Sequence, residues 1–419
     1  MSEARFGDAA ARCDEQRLWQ RHMEMAKLGA TPRGGVRRLA LDGNDNAARA
    51  LLAGWARQRG FSVFLDEIGN LYIRRRGEDE NAAPVLSGSH TDTQPSGGKF
   101  DGIYGVLAAF EALEAIEEAG IKTRRPIEAV VWTDEEGGAR FPVGTLGSSV
   151  FAGQMKLADG LAVPGDDGVT VEAALKETRA ALPDVPLRPL GFPIAAFVEA
   201  HIEQGPELEA TGKTIGVVTV IQGARRFRVD IEGEDAHAGT TPRKRRKDAL
   251  SSAVAMIAAL EKHFADPEDV VRFTVGRLRV QPDAPAVVPG HVSFTIDFRH
   301  PKEEVLERLG NEVRPICEKH AGACKVTVIE TSRSKPVPFT RDVPDVIERA
   351  SDKLGLSSMR MISGAGHDAM KIAAVAPAGM IFVPCWRGIS HNETENATPG
   401  DLIAGTRVLA ETLVELANK

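Results

Sequence analysis

The sequence predicts an α/β protein whose mixed, mostly parallel sheet is flanked by helices, with a smaller α+β domain inserted into it. Two observations lead to this prediction. In the first half of the chain, short apolar strands alternate with helices that have one apolar face, as in the βαβ units of parallel sheets. Around the middle, several strands come before and after a single helix, which is typical of an α+β arrangement.

The alternating pattern is clearest in the first third of the chain. A capping residue near Asp45 precedes a predicted helix over 47–57, and residues 61–77 are predicted to form two short strands joined by a turn. A strand is expected at 84–90, a helix at 105–120 and a further strand at 126–132. Strand, helix and strand in this order indicate a βαβ unit.

The middle of the chain predicts the inserted domain. A helix is expected over 248–264, with Leu250, Ile257 and Leu260 facing inward. In the segment 291–300, apolar and polar residues alternate strictly, which indicates a half-buried strand. These elements place the inserted domain at 214–330, between a first segment (1–213) and a second segment (331–419) of the larger domain.

Length and composition narrow the class of protein. The chain has 419 residues, of which 42% are hydrophobic and 26% charged, which is ordinary for a globular protein but long for a single core. The net charge of −7 argues against nucleic acid or an anionic membrane as a partner. The N-terminus lacks the apolar core of a signal peptide and no apolar run reaches membrane-spanning length, so a cytoplasmic protein is expected.

A first polar cluster follows the predicted strand at 84–90. His90 and Asp92 come at the strand end, and Asp101 follows in a glycine-rich loop. Imidazole nitrogen and carboxylate oxygen suit zinc, manganese, cobalt or nickel, and strand ends in α/β sheets are where sites assemble. Asp92 is the candidate that orients the His90 ring. A solvated turn with a capping aspartate remains an equally good interpretation of this cluster.

A second cluster, TDEEGGARF, directly follows the predicted strand at 126–132. Asp134, Glu135 and Glu136 repel one another unless a cation or a proton compensates their charge. Because neighbouring side chains point in opposite directions, one glutamate can bind a metal while the other faces a substrate. Taken alone, an exposed acidic turn is the better interpretation of this triplet.

Two further polar loops carry a histidine each, His201 in EAHIEQGP and His391 in GISHNETEN. Either histidine alone is more often a surface or core residue than a ligand. Together the polar loops supply enough ligands for two divalent ions, namely His90, Asp101, Glu136, His201 and His391. No P-loop, GxGxxG or GxSxG pattern competes as a catalytic centre.

The inserted segment has its own polar candidates. His237 directly follows a predicted strand, and Arg299 ends the alternating strand, where it could clamp a carboxylate. A hydrogen bond within the turn for His237, and an ion pair with a nearby acid for Arg299, are equally good interpretations.

Seven motifs carry a resemblance to a known family. They occur in this order in the chain: GSHTDTQPSGGKFDG, TDEEGGARF, HIEQGP, AHAGTTP, DFRHP, SGAGHDA and GISHNETE. The chain from about residue 16 onward resembles the hydantoinase/carbamoylase amidases, a branch of the two-metal aminoacylase and carboxypeptidase superfamily. That branch includes N-carbamoyl-L-amino acid hydrolases, β-ureidopropionases and allantoate amidohydrolases.

This resemblance implies a zinc-peptidase-like catalytic domain that holds two divalent ions in each subunit. By the resemblance, His90 and Glu136 each bind one ion together with His201 or His391, and Asp101 bridges both. The ions would be zinc, or manganese, cobalt or nickel, since ligand type alone does not choose among them.

The resemblance also implies the catalytic roles. Glu135 would take a proton from the attacking water, and His237 would reach into the neighbouring subunit's site to stabilise the tetrahedral oxyanion. Gln204 and Arg299 would hold the carboxylate and polar groups of the substrate. The inserted domain would be a lid that also forms a homodimer. In the branch an asparagine usually stands where this chain has Ala286, which predicts an altered grip on the substrate.

The predicted function is a metal-dependent amidohydrolase that cleaves a linear C–N amide of an N-carbamoyl amino acid, giving the amino acid, carbon dioxide and ammonia. Three alternatives remain open at this point. The substrate could be allantoate or another ureido acid, or it could be an N-acyl-L-amino acid. A non-catalytic receptor for a small acid is the third alternative.

Overall fold

The computed structural model describes residues 6–419. The first five residues, which belong to the segment predicted to lack a signal peptide, lie outside this range. The described chain forms two compact units, one comprising the residues up to Thr219 together with those from Pro338 onward, and the other comprising Val220–Val337. None of the helices in the described range is both long enough and apolar enough to cross a membrane.

The strands are numbered in chain order. They are β1 (Ser62–Leu65), β2 (Leu71–Arg75), β3 (Val85–His90), β4 (Ile127–Trp132), β5 (Ala196–Ile202), β6 (Ile215–Ile221), β7 (Gly223–Glu232), β8 (Ala236–His237), β9 (Arg272–Gln281), β10 (Val287–Val288), β11 (His291–His300), β12 (Lys325–Ser334), β13 (Val337–Pro338), β14 (Ser358–Ser363) and β15 (Ala378–Val383).

The α-helices are numbered in the same way. They are α1 (Glu15–Met25), α2 (Gly43–Gln58), α3 (Ile103–Glu118), α4 (Leu146–Phe151), α5 (Leu157–Leu161), α6 (Val171–Ala181), α7 (Glu207–Thr211), α8 (Ala249–Phe264), α9 (Glu303–Asn311), α10 (Val313–Lys319), α11 (Pro344–Lys353), α12 (Ala369–Ile372) and α13 (Pro399–Ala417). Short 3-10 helices cover Ala10–Arg12, Arg243–Arg245 and Trp386–Gly388.

The first unit is built on one large mixed sheet with the order β1-β2-β4-β3-β5-β15-β6-β13, with β14 also paired to β6. Its four central strands, β4, β3, β5 and β15, are mutually parallel, whereas β2 and β6 pair with this block in the antiparallel direction. The predicted mixed, mostly parallel sheet is therefore confirmed. The central strands are buried along their whole length, as expected for parallel strands covered on both faces.

The predicted βαβ unit is also confirmed. It consists of β3, α3 and β4, and the register places His90 opposite Trp132 in the parallel pair. Helix α3 is buried over nearly all of its surface, because it packs between the sheet and α13. Its largest apolar side chains, including Phe110 and Leu113, are fully buried in the main core of the unit.

One helix begins earlier than its sequence pattern predicts. Helix α2 begins at Gly43, and its N-cap is Asp42, which accepts hydrogen bonds from the backbone N–H groups of Asn44 and Asp45. Asp45 is not the cap but a fully buried residue inside the first turn. Its carboxylate accepts hydrogen bonds from Thr91 and Arg49, so the helix start is tied to the segment after β3.

The second unit has an antiparallel sheet with the order β12-β7-β11-β9. Strand β11 alternates strictly between buried and half-buried residues, with Val292 and Phe298 among the buried ones, as predicted. Helix α8 begins at its N-cap Asp248 and packs Met256 and Leu260 into this core. Leu250 and Ile257, which were expected to face inward, are partly buried at its margin.

The second unit starts at 220 rather than 214 and ends at 337 rather than 330. The physical reason at the first boundary is the pairing of β6 with β15, which makes the apolar segment after Thr214 part of the first unit's sheet. The predicted role of this unit as a lid and dimerisation domain stays a prediction.

Candidate metal centre

Three neighbouring parallel strands deliver polar side chains to the same edge of the sheet. His90 is the last residue of β3, His201 is the penultimate residue of β5, and Glu135 and Glu136 follow the end of β4. Because β4, β3 and β5 are adjacent and parallel, their carboxyl ends meet at one edge. Asp101 joins them from the loop that leads into α3.

The hydrogen bonds of the two buried histidines decide which ring nitrogen faces the centre. His90 Nδ1 lies 2.9 Å from the backbone oxygen of Asp92, and His201 Nδ1 lies 2.8 Å from that of Ile202. Since a carbonyl oxygen only accepts, each Nδ1 carries a hydrogen and donates it. The Nε2 atoms therefore turn toward Asp101 Oδ1, at 3.8 Å from His90 and 3.2 Å from His201.

The two oxygens of Asp101 face two different sets of side chains. Oδ1 faces His90 and His201, whereas Oδ2 lies 3.3 Å from His391 Nε2. On that second side, Glu136 Oε2 lies 3.4 Å from the same His391 nitrogen. Two groups of potential ligand atoms thus share one carboxylate, the first with His90 and His201 and the second with Glu136 and His391.

The charges of this cluster depend strongly on one another. Burial disfavours the charge of Asp101, but its hydrogen bonds with His201 and His391 outweigh burial and hold the pKa of Asp101 well below its usual range. Burial likewise opposes charge on His201, yet the bond to Asp101 raises the pKa of His201 to about 9. The same carboxylate raises the pKa of His391 to about 9. Burial and the charge of Asp101 raise the pKa of Glu136 to about 7.

These side chains fit a divalent cation. The inward Nε2 atom of His201 lies 3.2 Å from a carboxylate oxygen of Asp101, and such a contact requires either a proton or a cation between the two atoms. The donor set of imidazole nitrogens and carboxylate oxygens is the one that zinc and its neighbours in the first transition row prefer. In addition, each Nδ1 donates its hydrogen to a backbone carbonyl, as the second ring nitrogen of a metal-bound histidine commonly does.

Glu135 lies next to this cluster, on the side of His90. Its Oε2 is 3.6 Å from His90 Nε2, and its side chain is largely buried. Burial and the charge of Asp368 raise the pKa of Glu135 well above its usual range. The prediction that the two neighbouring glutamates serve different groups agrees with this geometry, since Glu136 contacts His391 and Glu135 contacts His90.

Asp92 was expected to orient the His90 ring through its carboxylate, but it does so through its backbone. Its backbone oxygen, not its carboxylate, accepts the hydrogen bond from His90, and the carboxylate lies 3.7 Å from that ring nitrogen. The carboxylate instead accepts the backbone N–H groups of Glu135 and Glu136, at 3.4 Å and 3.1 Å. Sequence reasoning could not separate these possibilities, because the loop after β4 comes to Asp92 only in the folded chain.

Gln204 lies at the centre itself. Its Nε2 donates to Asp101 Oδ2 over 2.9 Å and to Ser390 Oγ over 3.1 Å. Gln204, His391 and Asp134 all have φ near +55°, in the left-handed region that side chains other than glycine rarely adopt. Such backbone strain persists only where the surrounding structure holds it, and it clusters at functional sites.

Several buried residues behind the cluster were not predicted from the sequence to have a role. His367 stacks edge-on against His201 at 4.5 Å between ring centres, and Glu199 accepts hydrogen bonds from Ser89 Oγ and the backbone N–H of Ala369. Glu199, His201 and His367 form a further group of possible ligand atoms. The signal was present, because His367 lies in the SGAGHDA motif, but no spacing rule links that motif to β5.

The second unit contains two of the predicted site residues, His237 and Arg299. His237 is exposed on β8, and its Nδ1 accepts the backbone N–H groups of Gly239 and Thr240. Its neutral ring therefore carries the hydrogen on Nε2, which makes that atom a donor. Arg299 makes an ion pair with Asp297 on β11, with 3.0 Å between Nε and Oδ1.

Comparison with known proteins assigns the family. The family model of Peptidase family M20/M25/M40 matches residues 86–415. The chain belongs to this family. It is 38% identical over 411 residues to an N-carbamoyl-L-amino-acid amidohydrolase of Rhizobium meliloti, with 97% of both chains covered. It is 35% identical to the allantoate amidohydrolase of Bacillus subtilis (strain 168), covering 94% of this chain and 95% of that protein.

A solved structure of the same family agrees with the fold. An amidase of the hydantoinase/carbamoylase family from Burkholderia multivorans superposes with a TM-score of 0.92 at 44% identity, covering 97% of this chain and 98% of that one. The resemblance read from the seven motifs is therefore confirmed, and so is the α/β fold class. Members of the M20 family depend on metal, and the ligand groups around Asp101 are where this chain could hold it.

Proposed function

We propose that the protein is a metal-dependent amidohydrolase that cleaves the linear C–N amide of an N-carbamoyl amino acid. The observation that carries the proposal is the position of Asp101 between two ligand groups, with a separate carboxylate, Glu135, beside them. The names of the relatives support a ureido acid as the substrate class, since they include carbamoyl amino acid and allantoate amidohydrolases.

The ligands divide according to the two oxygens of Asp101. His90 and His201 would hold one divalent ion with Oδ1, and Glu136 and His391 would hold the other with Oδ2. Zinc, manganese, cobalt and nickel all suit this donor set. When bound, the two ions supply positive charge that acidifies water and polarises the substrate carbonyl.

Glu135 moves the proton in this proposal. It accepts a proton from the attacking water, which adds to the ureido carbon, and the bond from that carbon to the amino-acid nitrogen breaks. Glu135 then passes the proton to the leaving nitrogen, which departs as the amine. The carbamic acid that is released decomposes to carbon dioxide and ammonia, so each turnover consumes one water and yields three products.

Binding and oxyanion roles fall to residues outside the ligand set. Gln204, whose amide already contacts Asp101, contributes a polar contact to the substrate. We assign the substrate carboxylate to Arg299 and the developing oxyanion to His237 by family resemblance. The Nε2 donor of His237 has the hydrogen that this role requires. The same resemblance supports a homodimer in which the second unit serves as lid and dimerisation domain.

A substrate panel tests the proposal. Protein that has been stripped of metal and then reconstituted with zinc, manganese, cobalt or nickel is offered N-carbamoyl-L-amino acids, N-carbamoyl-β-alanine, allantoate and N-acetyl-L-amino acids. Amine and ammonia are followed in parallel. We expect both products from a carbamoyl amino acid, and no turnover in the stripped protein.

Each other pattern in the panel has a definite meaning. Ammonia release from allantoate and from no other compound would identify allantoate as the substrate. Amine without ammonia from an acetyl substrate would make the protein an acylase. Turnover that survives complete removal of metal would refute the mechanism, and silence across the panel with metal bound would favour a receptor for a small acid.

A further inference from the structure

Glu395 joins the two loops that carry Asp101 and His391. It is only 3% exposed, and its Oε1 accepts the backbone N–H groups of Phe100 at 2.9 Å and Asp101 at 3.0 Å. It comes four residues after His391 in the same loop. The buried carboxylate of Glu395 thus connects the backbone of Asp101 to the loop that carries His391.

The second oxygen of Glu395 continues this connection to the Asp101 side chain. Ser390 Oγ lies 3.0 Å from Glu395 Oε2 and 3.0 Å from Asp101 Oδ2, so its single hydrogen lies between two carboxylates. Gln204 Nε2 donates to the same Asp101 oxygen. Because Oδ2 is the oxygen that faces His391 and Glu136, these contacts fix the Asp101 carboxylate on that side.

Close packing around Glu395 shows that the loop is built to admit this side chain. A Cβ atom at Gly98 would lie 2.0 Å from Glu395 Oε1 and 2.5 Å from its Cβ. Only glycine at this position leaves room for the carboxylate to reach the N–H groups of Phe100 and Asp101. The contact is therefore a constraint on both loops rather than a chance hydrogen bond of a mobile side chain.

We propose that Glu395 is a positioning residue that sets the separation of Asp101 and His391, and thereby the affinity of the ion held by Asp101, Glu136 and His391. The inference rests on the proposed two-ion function. Among residues 6–419, Glu395 makes no hydrogen bond or ion pair with His90 or His201, the two histidines of the other ion, so that ion should depend on Glu395 less than the ion bound by His391 does.

The test measures metal binding directly, with the full-length protein and Co²⁺ as the probe. Stripped protein is titrated with Co²⁺ against a competing chelator, and the visible absorption of the bound ion is recorded. The variant H391Q identifies which of the two binding events involves His391. We expect E395A to weaken that same event by about tenfold or more, the usual effect of losing a residue that orients a ligand, and the other event by less than about threefold.

A conservative variant separates positioning from mere stability. In E395Q the amide oxygen can still accept both backbone N–H groups, and its nitrogen can donate to Ser390, so we expect most of the affinity to return. E393Q is the matched control, because Glu393 lies on the same loop and contacts Thr31 instead. Thermal unfolding is followed for every variant.

Each other result overturns the inference. Equal weakening of both ions by E395A, or no weakening at all, refutes a selective positioning role, and E395Q as weak as E395A refutes the hydrogen-bond explanation. If E395A does not fold, S390A replaces it, and the inference fails if S390A leaves the His391 event at its wild-type affinity. A wild-type protein that binds fewer than two ions overturns the two-ion function and this inference together, and is thereby distinguished from a failure of Glu395 alone.

Discussion

At the scale of single residues, the proposed function depends on which atom of each side chain faces Asp101. The Nδ1 hydrogens of His90 and His201 are held by backbone carbonyls, so both Nε2 atoms point inward. Glu136 and Glu135 are neighbours in sequence but contact different histidines. Replacing the carboxylate of one of these two glutamates by an amide is therefore expected to affect proton transfer and metal binding separately.

The variant E135Q should remove proton transfer and leave metal binding in place. The amide keeps the size of the carboxylate but cannot accept and return a proton, so we expect kcat to fall by about 10²–10⁴-fold. Metal content should stay at the wild-type value, as measured by elemental analysis. E172Q on the exposed first turn of α6 is the matched control. Wild-type turnover in E135Q would show that another group is the base.

The stability of the metal-free protein should fall as the pH rises. Burial opposes charge on His201, but its hydrogen bond with Asp101 raises the pKa of His201 in the folded protein to about 9, from 6.5 in an unfolded chain. Its contribution is therefore complete below about pH 6.5 and is lost as the pH rises through about 9. At about 1.4 kcal/mol per pKa unit, this contribution is on the order of 3 kcal/mol.

Urea unfolding of chelator-treated protein between about pH 7 and pH 9.5 measures this effect. We expect the urea midpoint to decrease as the pH rises. The decrease should be less steep in H391Q, because this variant lacks His391, the other histidine whose pKa is raised. With saturating metal the trend should disappear or reverse, because protons and metal compete for the same nitrogens. A midpoint that rises with pH in the chelated protein would contradict the ion pairs around Asp101.

At the scale of elements, the centre depends on adjacent parallel strands and on the start of α3. Strand β3 ends in His90, β5 carries His201 as its penultimate residue, and Gly102 forms the N-cap of α3 with φ of 66°. A Cβ atom at Gly102 would lie 2.3 Å from the ring of His90. The helix start and the histidine therefore occupy their positions only because residue 102 is glycine.

Two glycine variants test this dependence. Gly120 has the same φ of 66° as Gly102, but no atom lies within 4 Å of a Cβ placed on it. G120A should cost only the backbone strain of a left-handed alanine, about 1–2 kcal/mol. G102A should cost at least this, because its ψ of −55° lies outside the left-handed helical region, and should also displace His90, so we expect its metal affinity to fall by about tenfold or more. Equal metal affinity in the two variants, measured by chelator competition, would contradict the packing argument.

At the scale of the whole molecule, the ligands span most of the sequence yet belong to one compact unit. The first unit holds all five proposed ligands, while His237 and Arg299 belong to the second unit, Val220–Val337. The proposed dimer assigns His237 to the partner's site. This assignment predicts that two inactive variants can complement each other.

Mixed dimers of E135Q and H237A provide that test. If His237 acts in the neighbouring subunit, a mixed dimer has one site that combines an intact Glu135 with an intact His237, and activity should return to about a quarter of the wild-type value after random mixing. If His237 acts within its own chain, no site in the mixed dimer is intact and no activity returns. Sedimentation of the unmixed proteins checks the oligomeric state.

Much of the fold followed from local patterns. Strand β11 and helix α8 were predicted because their periods of two and 3.6 residues are set by burial on one face. The N-cap of α2 was not predicted correctly, because an aspartate is a good N-cap at either position 42 or position 45. In the folded chain the carboxylate of Asp45 is buried and bonded to Arg49 and Thr91, and Asp42 is the cap. The first boundary of the inserted segment was missed because the pairing of β6 with β15 joins distant parts of the chain.

The sequence by itself determined the candidate ligand types, their order, the glutamate pair and the α/β class through local residue identity and periodicity, and its seven motifs carried the resemblance that implied the roles of these residues. The tertiary structure alone decided which histidines share each oxygen of Asp101 and which atoms of Asp92 are used. It also decided that Glu395 holds the backbone of Asp101, 294 residues away. The physical reason is that hydrogen bonds between distant segments depend on how the strands align, and residue spacing does not encode that alignment.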